Sequence, residues 1–429
     1  MKRNLPFISS AILAALAVLC SNSKAICQDK DSVRHKAQVE EALSKMSVRE
    51  KVAQIFIISI SRNPSEATRA RQDSLIRDYG VGNIIIMKGS IYEFMERANY
   101  LQSLAKIPLL VATDAEWGAA MRFDEYLPYP RQAQLGRIES GAEKLLYKMG
   151  RNVARELKDL NIYVNYAPVA DVAPENPGAY SQRAFGTDPK QISVLATAYM
   201  KGMQDGGIYA CGKHYPGHGG STVDTHYDMP VLTNSRAYMD SVDLYPYYSM
   251  FANGLKMVMV GHYSVPAIDP SGNPTSISSI LMNDVLRRDQ GFKGVVITDA
   301  VAMKGLTNEK RGPIEATLGV YKAGADMVLM TDKPRQCIDA ITEKVESGEW
   351  PVEELDAKVR KVLMLKARAG FFDKGYDPRV VNLDKKIASA RKRDYRLIKK
   401  MQRKMLKSTK PYLAPVGDDR TLILDKAGK

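Results

Sequence analysis

Residues 81–87 read VGNIIIM, an almost unbroken apolar run. A strand buried on both faces has this composition, because neither face carries the polar half of an alternating pattern. Seven similar short runs occur at 52–60, 108–113, 162–166, 208–212, 257–260, 294–298 and 325–330. Between them lie segments with helical apolar spacing, such as 91–105, 141–160, 189–205, 278–289 and 314–323, long enough to cross between parallel strands. Strict alternation over roughly 300 residues predicts an α/β fold, a (β/α)8 TIM-like barrel, with a doubly wound open sheet as the alternative. The segment VEELDAKVRKVLMLKARAGFF (352–372) reads as a helix closing the barrel and stopping near Gly370. The expected organisation is a signal peptide over 1–25, a barrel over 26–372 and a basic helical tail over 373–429.

Of the 429 residues, 45% are apolar and 26% charged, which excludes a disordered or fibrous chain and suits a large soluble core. Lys2 and Arg3 precede an apolar run over 7–19 that is too short to span a bilayer comfortably. Ser23-Lys24-Ala25 then predicts cleavage after Ala25, and hence a periplasmic or secreted protein. Cys20 raises a lipoprotein alternative, disfavoured because Leu19 stands where such signals want Gly, Ala or Ser. After cleavage Cys27, Cys211 and Cys337 remain, an odd number without metal-like spacing, read as unpaired and mostly buried thiols.

The formal charge of +14 is concentrated. From 384 to 410 there are twelve basic residues (Lys385, Lys386, Arg391, Lys392, Arg393, Arg396, Lys399, Lys400, Arg403, Lys404, Lys407 and Lys410) against Asp384 and Asp394. The favoured reading is the solvated face of a helix; the sharper one is attraction to anionic envelope polymers or lipid head groups. Nucleic acid is a poor partner for an exported protein, and the oligomeric state is left open.

In a barrel, the loops that follow the strands converge on one mouth, so chemistry belongs just after each strand's carboxyl end. Asp114 follows the third run, Arg183 lies in the loop after the fourth, Lys213 and His214 follow the fifth, His262 follows the sixth and Asp299 ends the seventh. Three of the five histidines fall in KHYPGHGGSTVDTHYDMP (213–230). Its Pro and Gly residues place those histidines on an irregular loop and disfavour a metal site, because an i, i+4 ligand pair needs a helix. Asp224 stands two residues before His226, where a carboxylate can orient an imidazole and raise its basicity for proton transfer. Asp299 alone could equally be a structural carboxylate capping the next helix.

These stretches resemble glycoside hydrolase family 3, in its β-N-acetylglucosaminidase branch. The 213–230 segment is similar to that branch's histidine signature, ITDAVAMKG (297–305) to the nucleophile motif and ATDAEWGAAMRF (112–123) to the third-strand motif. NYAPVADV (165–172), RAFGTDP (183–189), GHYSVPAID (261–269) and KVLMLKARAGFF (361–372) follow in the family's order, so the likeness covers about 48–372.

The resemblance implies a retaining exo-β-N-acetylglucosaminidase that needs no cofactor or metal. Asp299 is its nucleophile, His226 paired with Asp224 its acid/base, and Asp114, Arg183, Lys213, His214 and His262 its sugar contacts. The carbohydrate would come from peptidoglycan fragments, chito-oligosaccharides or N-glycan ends. Many relatives carry D-Q-E-G-G where this chain has Asp114-Ala115-Glu116-Trp117-Gly118, so Trp117 could offer an apolar platform to a sugar face. A phosphorylase or β-glucosidase of the same family is the near alternative. A non-catalytic glycan-binding envelope protein is the alternative of another class.

Overall fold

The computed structural model describes residues 31–173, 182–218 and 227–408. The expected signal with Cys20, and also Cys27, Asp224, His226 and Lys410, lies outside the described residues. The strands are β1 (Phe56–Ile60), β2 (Asn83–Ile86), β3 (Leu110–Thr113), β4 (Val164–Asn165), β5 (Tyr209–Tyr215), β6 (Met257–Val260), β7 (Val295–Thr298) and β8 (Val328–Leu329). Each runs parallel to the next in chain order, and β8 returns to β1 through Phe56↔Val328 and Ile57↔Leu329. Between β7 and β8 one bridge, Ile297↔Met327, closes the ring. The Asp326 and Met327 amides back it by donating to the Val296 carbonyl at 2.8 and 3.1 Å. An open sheet would leave two unpaired edges; here the strands form a barrel.

Every residue of β2, β3, β6 and β7 is buried, which accounts for their unbroken apolar runs: one side fills the barrel and the other packs on crossover helices. Two boundaries differ from expectation. The 52–60 run is divided, with a helix at Val48–Gln54 and the strand beginning only at Phe56. A reciprocal capping box causes this: the Glu50 amide donates to Ser47 Oγ at 3.3 Å while the Ser47 amide donates to Glu50 Oε2 at 3.0 Å. In contrast, β5 runs past its expected end to Tyr215, so Lys213 and His214 project from a buried strand instead of a loop.

Helices Ile91–Leu104, Ala142–Asp159, Pro189–Asp205 and Pro313–Ala323 occupy the expected crossovers. The crossover Ile280–Asp289 is wound more widely than an α-helix, ending with the Gln290 amide on the Val285 carbonyl five residues back. Below the barrel, Val352–Arg368 packs against Val48–Gln54. Its Lys366 is fully buried and donates to Gln54 Oε1 at 2.8 Å and the Gly82 carbonyl at 2.9 Å; burial depresses its pKa to about 7.

The basic stretch forms the helix Leu383–Met405, laid along Ala142–Asp159 with Ile387, Ala390, Asp394, Ile398 and Met401 buried. Lys386 Nζ reaches the Asp159 carbonyl at one end and Lys404 Nζ the Ser140 carbonyl at the other, so the two helices run antiparallel. No helix among the described residues is long and apolar enough to cross a membrane.

Candidate active site

The carboxyl ends of β3, β5 and β7, with the loop after β4, deliver an interlocked set of charges to one end of the barrel. Asp114, directly after β3, accepts from Lys213 Nζ at 2.6 Å and from the Arg122 guanidinium. Lys213 also reaches Glu116 Oε1 at 2.9 Å. Arg183 grips Glu116 with two parallel bonds, Nη2 to Oε1 at 2.6 Å and Nε to Oε2 at 3.1 Å. Asn165, at the end of β4, fixes the turn that carries both carboxylates. Its Oδ1 accepts from the Ala115 amide at 2.9 Å and its Nδ2 donates to the Ala115 carbonyl at 3.1 Å.

Burial alone would raise the pKa of both carboxylates. Lys213 and Arg122 instead hold Asp114 well below the usual range, and Arg183 with Lys213 holds Glu116 at about 2. Burial would likewise depress Lys213, yet Asp114 and Glu116 more than reverse it and its pKa is raised. The ionised forms therefore sustain one another, as buried charges must.

His214 stands beside this group, with Nε2 3.5 Å from Arg183 Nη2 and Nδ1 2.7 Å from Asp171 Oδ2. Asp171 Oδ1 also accepts the amides of His214 and His218 at 3.1 and 2.9 Å, fixing the backbone where β5 turns into its loop. Burial would raise Asp171 as well, and the two histidines reverse that and lower it.

Asp299 follows β7 and is half-buried, with Oδ1 accepting the Ala300 amide at 2.8 Å. Burial raises the pKa of the Tyr166 hydroxyl and the Cys211 thiol; Asp114 and Asp299 add to this at both groups, and Lys213 opposes it at Cys211. His262 is fully buried and has both ring nitrogens engaged, Nδ1 with Ser276 Oγ at 2.7 Å and Nε2 with the Ala300 carbonyl at 3.1 Å. Burial lowers its pKa, which favours the neutral ring. It braces the backbone just after Asp299, with Asp299 and His214 as its charged neighbours, and its burial leaves no ring nitrogen open for a sugar hydroxyl. A Cβ added at Gly305 would sit 3.2 Å from the His262 Cβ and 3.3 Å from the Asp228 carbonyl oxygen. Hence Asp228, just beyond the undescribed 219–226, abuts the loop that follows Asp299.

Trp117 is half-buried and carries the Arg131 guanidinium over its ring at 4.3 Å, so a cation covers one face of the expected sugar platform. Glu116, Arg122 and Asp171 were not singled out from the sequence, although each lies within a quoted motif. For Glu116 the detectable signal was charge balance, since Lys213 at a buried strand end and Arg183 in the neighbouring loop require more than one carboxylate.

Closed parallel barrel and charged mouth together define an enzyme of the (β/α)8 class. Residues 47–365 match the glycosyl hydrolase family 3 N-terminal domain. Beta-hexosaminidases of Nitrosomonas eutropha and Neisseria meningitidis are each 32% identical to this chain over 284 residues, covering 64% of it and 80% and 77% of their own lengths. The structure of a family 3 β-N-acetylglucosaminidase from Paenibacillus sp. superposes with a TM-score of 0.73 at 27% identity, over 84% of this chain and 69% of that one. The chain belongs to glycosyl hydrolase family 3, in its β-hexosaminidase branch, and is a glycoside hydrolase.

Proposed function

We propose that this protein is an exported, retaining exo-β-N-acetylglucosaminidase that removes terminal β-linked N-acetylglucosamine from peptidoglycan fragments, chito-oligosaccharides or N-glycan ends. The sugar follows from the names of its relatives; the chemistry rests on one observation. Asp299 stands half-exposed on the mouth that also holds the charged cluster of Asp114, Lys213, Glu116 and Arg183.

In this reading Asp299 attacks the anomeric carbon as the aglycone oxygen takes a proton from His226, giving a glycosyl–enzyme. Water then gives its proton to His226 and displaces Asp299, and two inversions return the β anomer. Asp224 would orient the His226 ring and raise its basicity. The described residues on either side of 219–226 stand at the site, since the His218 amide is tied to Asp171 and Asp228 abuts the loop after Asp299. Asp114, already fixed by two cations, keeps lone pairs for sugar hydroxyls, and Arg183, Lys213 and His214 surround the same space.

The test uses paired 4-nitrophenyl β-N-acetylglucosaminide and β-glucoside. The first is the expected substrate, and Asp299→Ala should lose on the order of 10⁴ or more in kcat. Unchanged hydrolysis by that variant would end the assignment. Sugar 1-phosphate accumulating when phosphate is added would replace water with phosphate as the acceptor.

A further inference from the structure

Outside the barrel, a cavity of about 390 Å³ opens between the helices Ala142–Asp159, Pro189–Asp205 and Leu383–Met405. Five lysines line it, Lys144 and Lys148 from the first helix, Lys201 from the second, and Lys400 and Lys404 from the third, with Glu143 as the one acid among its lining residues. Asp205 lies nearby with its carboxylate taken by the Tyr147 hydroxyl at 2.9 Å. Among the described residues, Lys144, Lys148, Lys201 and Lys400 form no ion pair. Lys45, Lys106 and Arg360 show the alternative, each paired with a glutamate (Glu41, Glu50 and Glu40) within 2.8 Å.

Like charges gathered round a concavity repel one another and raise its positive potential, an arrangement relieved by an anion. The lining offers ammonium groups and no guanidinium. Carboxylates and phosphates both accept arginine forks, and lysine ammonium groups bind phosphate as point charges, several of which can surround one compact multivalent anion. Lys404 is held at the rim by its bond to the Ser140 carbonyl at 2.6 Å, so part of the cluster is already ordered.

We propose that this cavity is a binding site for phosphate groups, carried either by a lipid head group or by a soluble phosphorylated carbohydrate. It is separate from the barrel mouth and does not depend on the chemistry assigned to Asp299.

The test compares the full chain with a Lys148→Gln/Lys201→Gln/Lys400→Gln variant, and with a Lys106→Gln/Lys344→Gln/Lys374→Gln variant that removes as much charge away from the cavity. Titration calorimetry with inorganic pyrophosphate at low ionic strength should show binding that salt weakens. The cavity variant should bind roughly tenfold or more weakly, and the distant variant like the parent. Sedimentation with phosphatidylglycerol vesicles but not with phosphatidylcholine vesicles, lost in the cavity variant, identifies a lipid phosphate. Pyrophosphate binding without sedimentation identifies a soluble ligand. No pyrophosphate binding by the parent, or equal weakening in the two variants, overturns the proposal. Thermal midpoints of these surface variants establish that they fold.

Discussion

Asp243 is a buried carboxyl whose pKa is pushed up to about 7, first by burial and then by the charge of Asp171. Its unfolded value is near 3.9, so from about pH 4 to about pH 7 the folded chain binds more protons and stability falls as pH rises. Asp243→Asn removes this dependence. Its stability advantage over the parent should grow across that window to on the order of 4 kcal/mol above pH 7, at about 1.4 kcal/mol per pKa unit. Unfolding midpoints at several pH values measure it, and an advantage independent of pH would refute the claim. Glu116→Gln should cost roughly 3–5 kcal/mol in unfolding free energy, because Arg183 and Lys213 lose their shared buried partner. Urea unfolding measures that loss, and a cost below about 1 kcal/mol would mean the cluster is better solvated than its geometry implies. Asp114, Lys213, His214 and Asp299 were legible because barrel chemistry follows strand ends. Glu116, Asp171 and Arg122 were less legible because they act by compensating other charges, a role that depends on distances across the fold. His262 satisfied the same positional rule as the others, but both its ring nitrogens are taken by Ser276 and the Ala300 carbonyl. Position along the chain gives the end of a strand, not the partners that the following residue finds there.

The loop after β3 shows how an element holds a site. Gly118 has φ of +89°, and a Cβ there would meet Tyr129 Cδ2 at 2.8 Å. Next to it the Ala119 amide donates to Glu156 Oε2 at 2.9 Å, and the Tyr129 hydroxyl donates to Asp394 Oδ1 at 2.7 Å. The turn carrying Asp114 and Glu116 is thus braced from outside by helix Ala142–Asp159 and by the C-terminal helix. Gly118→Ala should destabilise by about 1–3 kcal/mol, since it combines a disfavoured φ with a ring that must move. Because that turn carries Asp114, the same variant should lose kcat/KM on 4-nitrophenyl β-N-acetylglucosaminide; parent-like stability and activity would show the brace to be incidental. Crossover helices were legible to within a few residues because their apolar spacing is long and regular. The start of β1 was obscured by a helix whose last turn carries the buried Val52 and Ala53 into the same run, although Ser47 and Glu50 carried the capping signal. The length of β5 was obscured for the opposite reason, since Lys213 and His214 are polar residues that continue a buried strand.

At the scale of the molecule, the sequence divided the chain into barrel and basic tail, and composition supported that division. Charge dominates the tail's sequence, while its docking depends on a few apolar positions among the cations. Ile387, Ile398 and Met401 are each under 10% exposed, and every such side chain buried contributes roughly 1.5–3 kcal/mol. Removing the helix therefore forfeits on the order of 5 kcal/mol, against a typical whole-domain stability of about 5–15 kcal/mol. It also strands polar groups. Asp394 is 1% exposed and receives the Tyr129 hydroxyl and the Arg393 guanidinium, while burial and the neighbouring Asp394 raise the pKa of the fully buried Glu156. A chain ending at Asn382 should accordingly unfold at much lower temperature, bind hydrophobic dyes and lose glycosidase activity along with the braced turn. Asp394→Leu in the full-length chain separates the two contributions. It keeps the apolar docking but leaves Tyr129 and Arg393 without their buried partner, and should cost about 3–5 kcal/mol by itself. If the truncated chain kept the parent's unfolding midpoint and turnover, the helix would be a mere charged appendage and the brace on the site would have to come from elsewhere.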